Sequence, residues 1–237
     1  MQTGEHLVRK YDEELETMRS RVLQMGGLVE SQVHTALMAF ESADMQLAQQ
    51  AIDADKRVND LEVDVDQMVN YVIVRRQPTA GDLRMITGVA KVITDLERVG
   101  DEASKIARAV KWLHEKNDQS RLNRIPDIRN SGEAAASMLR RALDAFARMD
   151  PQAAATIIKD DLGIDDRFRA VLRQLITFMM EDPRTISASL DCVWVAKAIE
   201  RIGDHAKNVA EHVIFISQGW DARHQSLEDI ERAVARP

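Results

Sequence analysis

The sequence predicts an all-α protein, two tandem three-helix bundles related by internal duplication, and three observations carry that expectation. Apolar residues recur at spacings of three and four over long stretches, the period of one buried helix face. A shift of 106 carries Ala36, Leu37, Ala39, Phe40, Asp44, Gln46, Ala48, Ile52, Asp55 and Asp60 onto identical residues at Ala142, Leu143, Ala145, Phe146, Asp150, Gln152, Ala154, Ile158, Asp161 and Asp166. The internal prolines Pro78, Pro126, Pro151 and Pro183 fall between the periodic stretches, where a missing N–H and a fixed φ do least harm. No segment shows sustained apolar–polar alternation between hairpin turns, so strands are not expected.

The first helix is marked by Leu15, Met18, Val22, Met25, Val29, Val33, Leu37 and Phe40. Ser42, Ala43 and Asp44 offer a break and an N-cap, and a second helix runs from about Asp44 to Arg76. Arg76-Gln77-Pro78-Thr79-Ala80-Gly81 turns the chain into a third, whose apolar side is Val89, Val92, Leu96, Val99, Ala103, Ile106 and Val110 and which fades after Trp112. Residues 115–130 are polar and read as the linker between units. Further helices are expected near 127–149, 151–181 and 185–218, then a short amphipathic tail, which divides the chain into 1–116, 117–219 and 220–237. In the later part of each copy the best shift becomes 103, which lays Glu97-Arg98-Val99-Gly100-Asp101 on Glu200-Arg201-Ile202-Gly203-Asp204, so the second turn of each unit is the variable one.

Composition narrows the function. With 45% hydrophobic residues the chain can build a core, and with 4% aromatics and 11 methionines that core is mainly aliphatic. No apolar run approaches the roughly 20 residues that span a bilayer, and the first residues lack the layout of a signal peptide, so a cytoplasmic location is expected. Cys192 is alone and reads as a small buried side chain. A net charge of −7 argues against a phosphate-backbone partner, and Arg75-Arg76 and Arg140-Arg141 are too short for nucleic acid and fit ion pairs across helices. None of the 10 glycines falls in a dinucleotide or Walker loop.

The chemistry lies in paired acids. Residues four apart share a helix face, so Glu97 with Asp101 and Glu200 with Asp204 are adjacent anion pairs that repel by a few tenths of a kcal/mol. The turn neighbours of Glu97 are Ile93, Thr94, Gly100 and Asp101, none of them basic; Glu200 has Lys197, and Asp101 has Lys105. Intrahelical pairing therefore offsets the repulsion only in part, and a bound cation is the alternative. The preceding helix of each unit supplies another such pair, Asp55 with Asn59 and Asp161 with Asp165. The midpoint of Asp55 and Asn59 lies 21 residues before Pro78 and that of Glu97 and Asp101 lies 21 after it, so an antiparallel hairpin brings them to one height. The second copy repeats the relation about Pro183. Gly100 and Gly203 leave room between the acids for a helix, a cation or a second protomer. An all-oxygen set favours Mg, Mn, Ca or carboxylate-bridged iron over structural zinc.

An alternative function is a carboxylate di-metal enzyme, but such bundles use Glu-x-x-His, which does not occur in the sequence. His114, His205 and His212 are isolated or differ between copies and read as core or surface residues. An interaction module is the better reading.

At these residues the chain resembles the PhoU family of phosphate-uptake regulators. The resemblance covers nearly the whole chain and rests on Met25-Gly26-Gly27-Leu28-Val29-Glu30, the turn from Arg76 to Arg84, both Glu-Arg-x-Gly-Asp strings and Met180-Glu181-Asp182-Pro183-Arg184-Thr185. It implies metal ions (Mg, Mn, Fe or Zn) on acidic motifs at Asp55, Glu97, Asp101, Asp161, Asp165, Glu200 and Asp204, with Asn59 standing in place of one acid. It also implies a homodimer and a cytoplasmic, non-enzymatic role as negative regulator of phosphate uptake and of the phosphate-starvation regulon, between the ATPase subunit of the phosphate ABC transporter and a phosphate-sensing histidine kinase. Contact with the membrane would run only through those partners.

Overall fold

A computed structural model describes residues 9–115 and 126–235. The first unit comprises α1 (Arg9–Ser42), α2 (Met45–Arg76) and α3 (Ala80–Glu115); the second comprises α4 (Pro126–Arg148), α5 (Pro151–Glu181) and α6 (Ile186–Gln218), with a 3₁₀ turn at Pro183–Thr185 and a closing α7 (Leu227–Val234). No strand occurs among the described residues.

The duplication is visible in the caps. Asp44 accepts hydrogen bonds from the amides of Gln46 and Leu47, and its counterpart Asp150 accepts from Ala153, each satisfying an orphan donor of the first turn. The residue before each cap, Ala43 and Met149, is left-handed at φ 55° and 49°, so the α1–α2 and α4–α5 corners turn alike. The second corners differ. Gln77, left-handed at φ 48°, closes α2 ahead of Pro78, whereas the second copy makes the 3₁₀ turn capped by Asp182. The change of shift from 106 to 103 falls here. The linker proves shorter than its polarity suggests: α4 starts at Pro126, because proline is favoured in a first helical turn, so residues 126–130 are helix. Residues 116–125 lie outside the described part.

Within each unit the first helix packs on the second and third, and α3 lies along α6, with α1 against α4, so the two bundles share one apolar core. The α1–α4 contact is reciprocal. A Cβ on Gly26 would sit 2.5 Å from the tip of Leu143, and a Cβ on Gly132 would sit 2.6 Å from the tip of Leu37. Gly26 and Gly132 are repeat equivalents, as are Leu37 and Leu143, so each copy inserts the same knob into the same gap in the other. Cys192 is buried. α7 closes over α5, burying Ile230 and Val234, with Gln152 Nε2 donating to the Val234 carbonyl. Three of the four paired arginines bind acids across helices: Arg76 grips Glu14 with two bonds of 2.7 and 2.8 Å, Arg140 pairs with Glu30, and Arg141 pairs with Asp160, whereas Arg75 lies 5.6 Å from the Tyr71 ring centroid on its own helix.

Candidate metal centres

In each hairpin the acids of the second helix meet those of the third at one height. In the second unit one carboxylate oxygen from each of Asp165, Glu200 and Asp204 lies within 4.8 Å of the other two. Burial, with the charges of Glu200, Asp161 and Asp165, pushes the Asp204 carboxyl up to about 6, against the pull of Lys197. Asp161 stands one turn earlier, buried, with Oδ2 accepting from Lys207 Nζ at 2.8 Å and Oδ1 without a hydrogen-bond partner. Lys197 pairs with Glu200, as its position three residues back suggests.

The first unit uses the same register with different partners. Asp55 Oδ1 accepts from Ser104 Oγ at 3.1 Å and faces Gln32 Nε2 at 3.3 Å. Gln32 is 2% exposed, and its Nε2 also lies 3.0 Å from the Ala51 carbonyl and 3.1 Å from that of Gly100. Its Oε1 has no hydrogen-bond partner, and neither has the buried Oδ1 of Asn59. Glu97 is raised above the usual carboxylate range by burial and by the charges of Asp101, Glu62 and Asp55, with Arg98 opposing. Glu62 is raised by burial and by Asp66 and Asp101. Among the described residues the first unit brings no three carboxylates as close as the second unit's trio.

The glycines between the acids serve helix contact. A Cβ at Gly203 would lie 3.0 Å from Ile164 of α5, and one at Gly100 would lie 3.0 Å from Gln32 Oε1 and 3.4 Å from Val58 of α2. One sequence-based pairing is corrected. Lys105 reaches Glu102 at 2.9 Å, not Asp101, because Glu102 faces the seam with α6, where Arg201 also binds it at 2.9 Å. Asp101 therefore has no basic partner one turn on.

An oxygen-binding cation fits this donor set. Three unpartnered buried oxygens, Gln32 Oε1, Asn59 Oδ1 and Asp161 Oδ1, sit at the two centres, and an unsatisfied buried acceptor is unfavourable by about 1–3 kcal/mol. Like charges also stand together without full compensation. Both defects are of the kind a hard cation removes.

Sequence reasoning missed Gln32, Ser104, Glu62 and Lys207. Signals for them existed: Gln32 interrupts the apolar ladder of Met25, Val29 and Ala36, Glu62 continues the face of Asp55 and Asn59, and Ser104 and Lys207 are repeat equivalents. The histidines at the seam belong to a different structure. Asp95 of α3 is buried and accepts from His205 Nδ1 at 2.9 Å, His212 Nε2 at 3.0 Å and Asn208 Nδ2 at 3.0 Å, all on α6. Burial works against its charge, but these three bonds outweigh it and hold the carboxyl well below its usual range.

The architecture defines the class: a duplicated helical-bundle protein with one acidic, oxygen-lined centre per repeat. The PhoU domain matches residues 22–110 and 128–213, one copy for each unit. The chain belongs to the PhoU family. It is 44% identical over 229 residues to the phosphate-specific transport system accessory protein PhoU homolog of Pseudomonas putida, covering 97% of this chain and 89% of the relative. It is 38% identical over 232 residues to the Escherichia coli K12 protein named phosphate-specific transport system accessory protein PhoU, covering 98% and 95%. The crystal structure of PhoU from Pseudomonas aeruginosa superposes with a TM-score of 0.85 at 44% identity, over 89% of this chain and 100% of that one. The phosphate transport system regulatory protein PhoU from Streptococcus pneumoniae gives 0.81 at 26% identity, over 90% and 99%.

Proposed function

We propose that this chain is a cytoplasmic, homodimeric accessory protein of phosphate-specific transport that docks on the transporter ATPase and on a phosphate-sensing histidine kinase, restrains uptake and starvation genes when phosphate is ample, and holds metal ions at its acidic centres. The observation that carries the reading is the end-to-end match to relatives named as accessory proteins of that system. Among the described residues no helix is long and apolar enough to cross a membrane, which fits a protein that reaches one through partners.

The surface supports docking. Val74 and Met180 are repeat equivalents, 81% and 80% exposed at the ends of α2 and α5, and the equivalents Leu83 and Ile186 are exposed at the starts of α3 and α6. Each hairpin tip thus offers matched apolar residues of the kind that mark contact sites. A binding role is favoured over di-metal catalysis because His205 and His212 are engaged by Asp95 and leave the acidic centres to oxygen ligands.

The residues to hold metal are Asp161, Asp165, Glu200 and Asp204 in the second unit and Asp55, Asn59, Glu97 and Asp101 in the first, with Glu62 alongside. Mg or Mn suits them best, and Fe or Zn is a less natural match to an all-oxygen set. Bound metal would supply positive charge that ties α2 to α3 and α5 to α6.

The test is capture of purified transporter ATPase and kinase domains by this chain, alongside its deletion from the cell. Retention of both partners and expression of starvation genes at ample phosphate are expected. Retention of neither, with normal repression in the deletion strain, would overturn the reading.

A further inference from the structure

Aligning one repeat with the other at shifts of 106 and 103 exposes charge differences around the acidic centres. Where the second unit has Lys207, Lys197 and Phe168, the first has Ser104, Thr94 and Glu62. All six positions border the acidic centres. Lys207 bonds Asp161, whereas its equivalent Ser104 bonds the equivalent Asp55. Lys197 bonds Glu200 and also lies 5.4 Å above the centroid of the Phe168 ring, whose repeat equivalent is Glu62. Each of these exchanges makes the second centre more positive by one charge. The opposite exchange, Asn59 for Asp165, returns one. Over these positions the loss of one acid at Asn59 is therefore outweighed, and the first centre is the richer in negative charge.

We propose that Lys197 and Lys207 are internal counter-ions of the second centre, supplying from side chains part of the charge that the first centre must take from a bound cation. The inference rests on the metal-binding reading above. Two buried groups point to a ligand beyond the acids themselves: Gln32 in the first unit and Asp161 in the second are each at least nine-tenths buried, and each keeps an unpartnered oxygen at its centre. The Gln32 oxygen is 3.0 Å from the Cβ position of Gly100, between Glu97 and Asp101. In the first unit Ser104 and Thr94 carry no charge, so a cation arrives without displacing one. In the second the ammoniums hold Asp161 and Glu200, and a divalent ion must compete with them. The two centres therefore respond to different concentrations of one ion.

The test is Mn²⁺ titration, followed by loss of free-ion paramagnetic resonance, with one centre disabled at a time. With the first centre disabled by Glu97→Gln, adding Lys197→Thr and Lys207→Ser should tighten Mn²⁺ binding about ten-fold, the scale of changing outer partners of a metal site. With the second disabled by Glu200→Gln, adding Thr94→Lys should weaken it about ten-fold. If the lysines serve only to brace helices, their removal would leave the affinity unchanged or lower it, and that result would overturn the proposal. Lys197→Thr alone, at a side chain 44% exposed, keeps the test available should the Lys207 variant not fold. A wild-type chain that binds no Mn²⁺, Mg²⁺ or Fe²⁺ would instead overturn the metal-binding reading beneath it.

Discussion

Asp95→Ala should lower the unfolding free energy by about 3–5 kcal/mol, the range for removing one partner of a buried charged pair. The effect is large because three donors from one helix converge on a single carboxylate of another. Without Asp95, the N–H groups of the buried His205 and His212, and one of the half-buried Asn208, lose their acceptor in the α3–α6 seam. The seam joins the two units, so damage here should separate them before either bundle melts, and urea unfolding should broaden or split. Acid should act in the same direction. A carboxyl held below its ordinary value contributes stability that is full above the unfolded value, 3.8, and is lost as pH falls through the lower folded one. Wild type should therefore lose stability at the acid end of a pH series of urea midpoints, and Asp95→Ala should lack that component.

Asp204→Asn should do the opposite to metal-free protein. The Asp204 carboxyl titrates at about 6 in the fold, against 3.8 ordinarily. Between those values the folded chain holds a proton that the unfolded chain has released, so stability falls as pH rises from about 4 to 6 and stays lowered above. Asparagine removes that penalty. After discounting for the partial exposure of the group, a gain of about 1 kcal/mol at neutral pH is expected, with a flatter profile between pH 4 and 6. Adding Mn²⁺ should reverse the ranking, because wild type gains stability from the ion and the variant has lost a ligand. Thermal melts at pH 4.5 and 7, with and without Mn²⁺, check both signs. Stabilisation of a protein by removing a side chain from its own site is the expected mark of a residue retained for binding rather than for folding.

The helices were legible because their signals are local. Asp44 and Asp150 cap where their position before an apolar run says they should, and Pro78 and Pro183 sit at the hairpin corners. Counting equal distances from those prolines placed the pair Asp55 and Asn59 level with Glu97 and Asp101, and Asp161 and Asp165 level with Glu200 and Asp204, since two antiparallel helices of equal rise leave no freedom in height. Pro126, counted with the polar linker, opens α4 one residue ahead of the helix expected near 127–149, because proline is favoured in a first helical turn. The neighbours of the acids were harder to read. Gln32 reaches Asp55 from a helix whose rotation about its own axis is set by packing, and Lys105 turns to Glu102 because the second bundle supplies Arg201. Asp95 with His205 and His212 was not legible from the repeat at all. The repeat equivalents of Asp95, His205 and His212 are Ala198, Glu102 and Ala109, so the contact has no counterpart in the other copy to reveal it.

The most direct measurement is elemental analysis of protein purified without chelator, comparing wild type with Glu97→Ala combined with Glu200→Ala. Wild type should carry bound divalent or iron-type metal, and the double variant should fall to background while keeping its helical circular dichroism. Equal metal in the two proteins, or none in wild type, would contradict the assignment of the acidic centres.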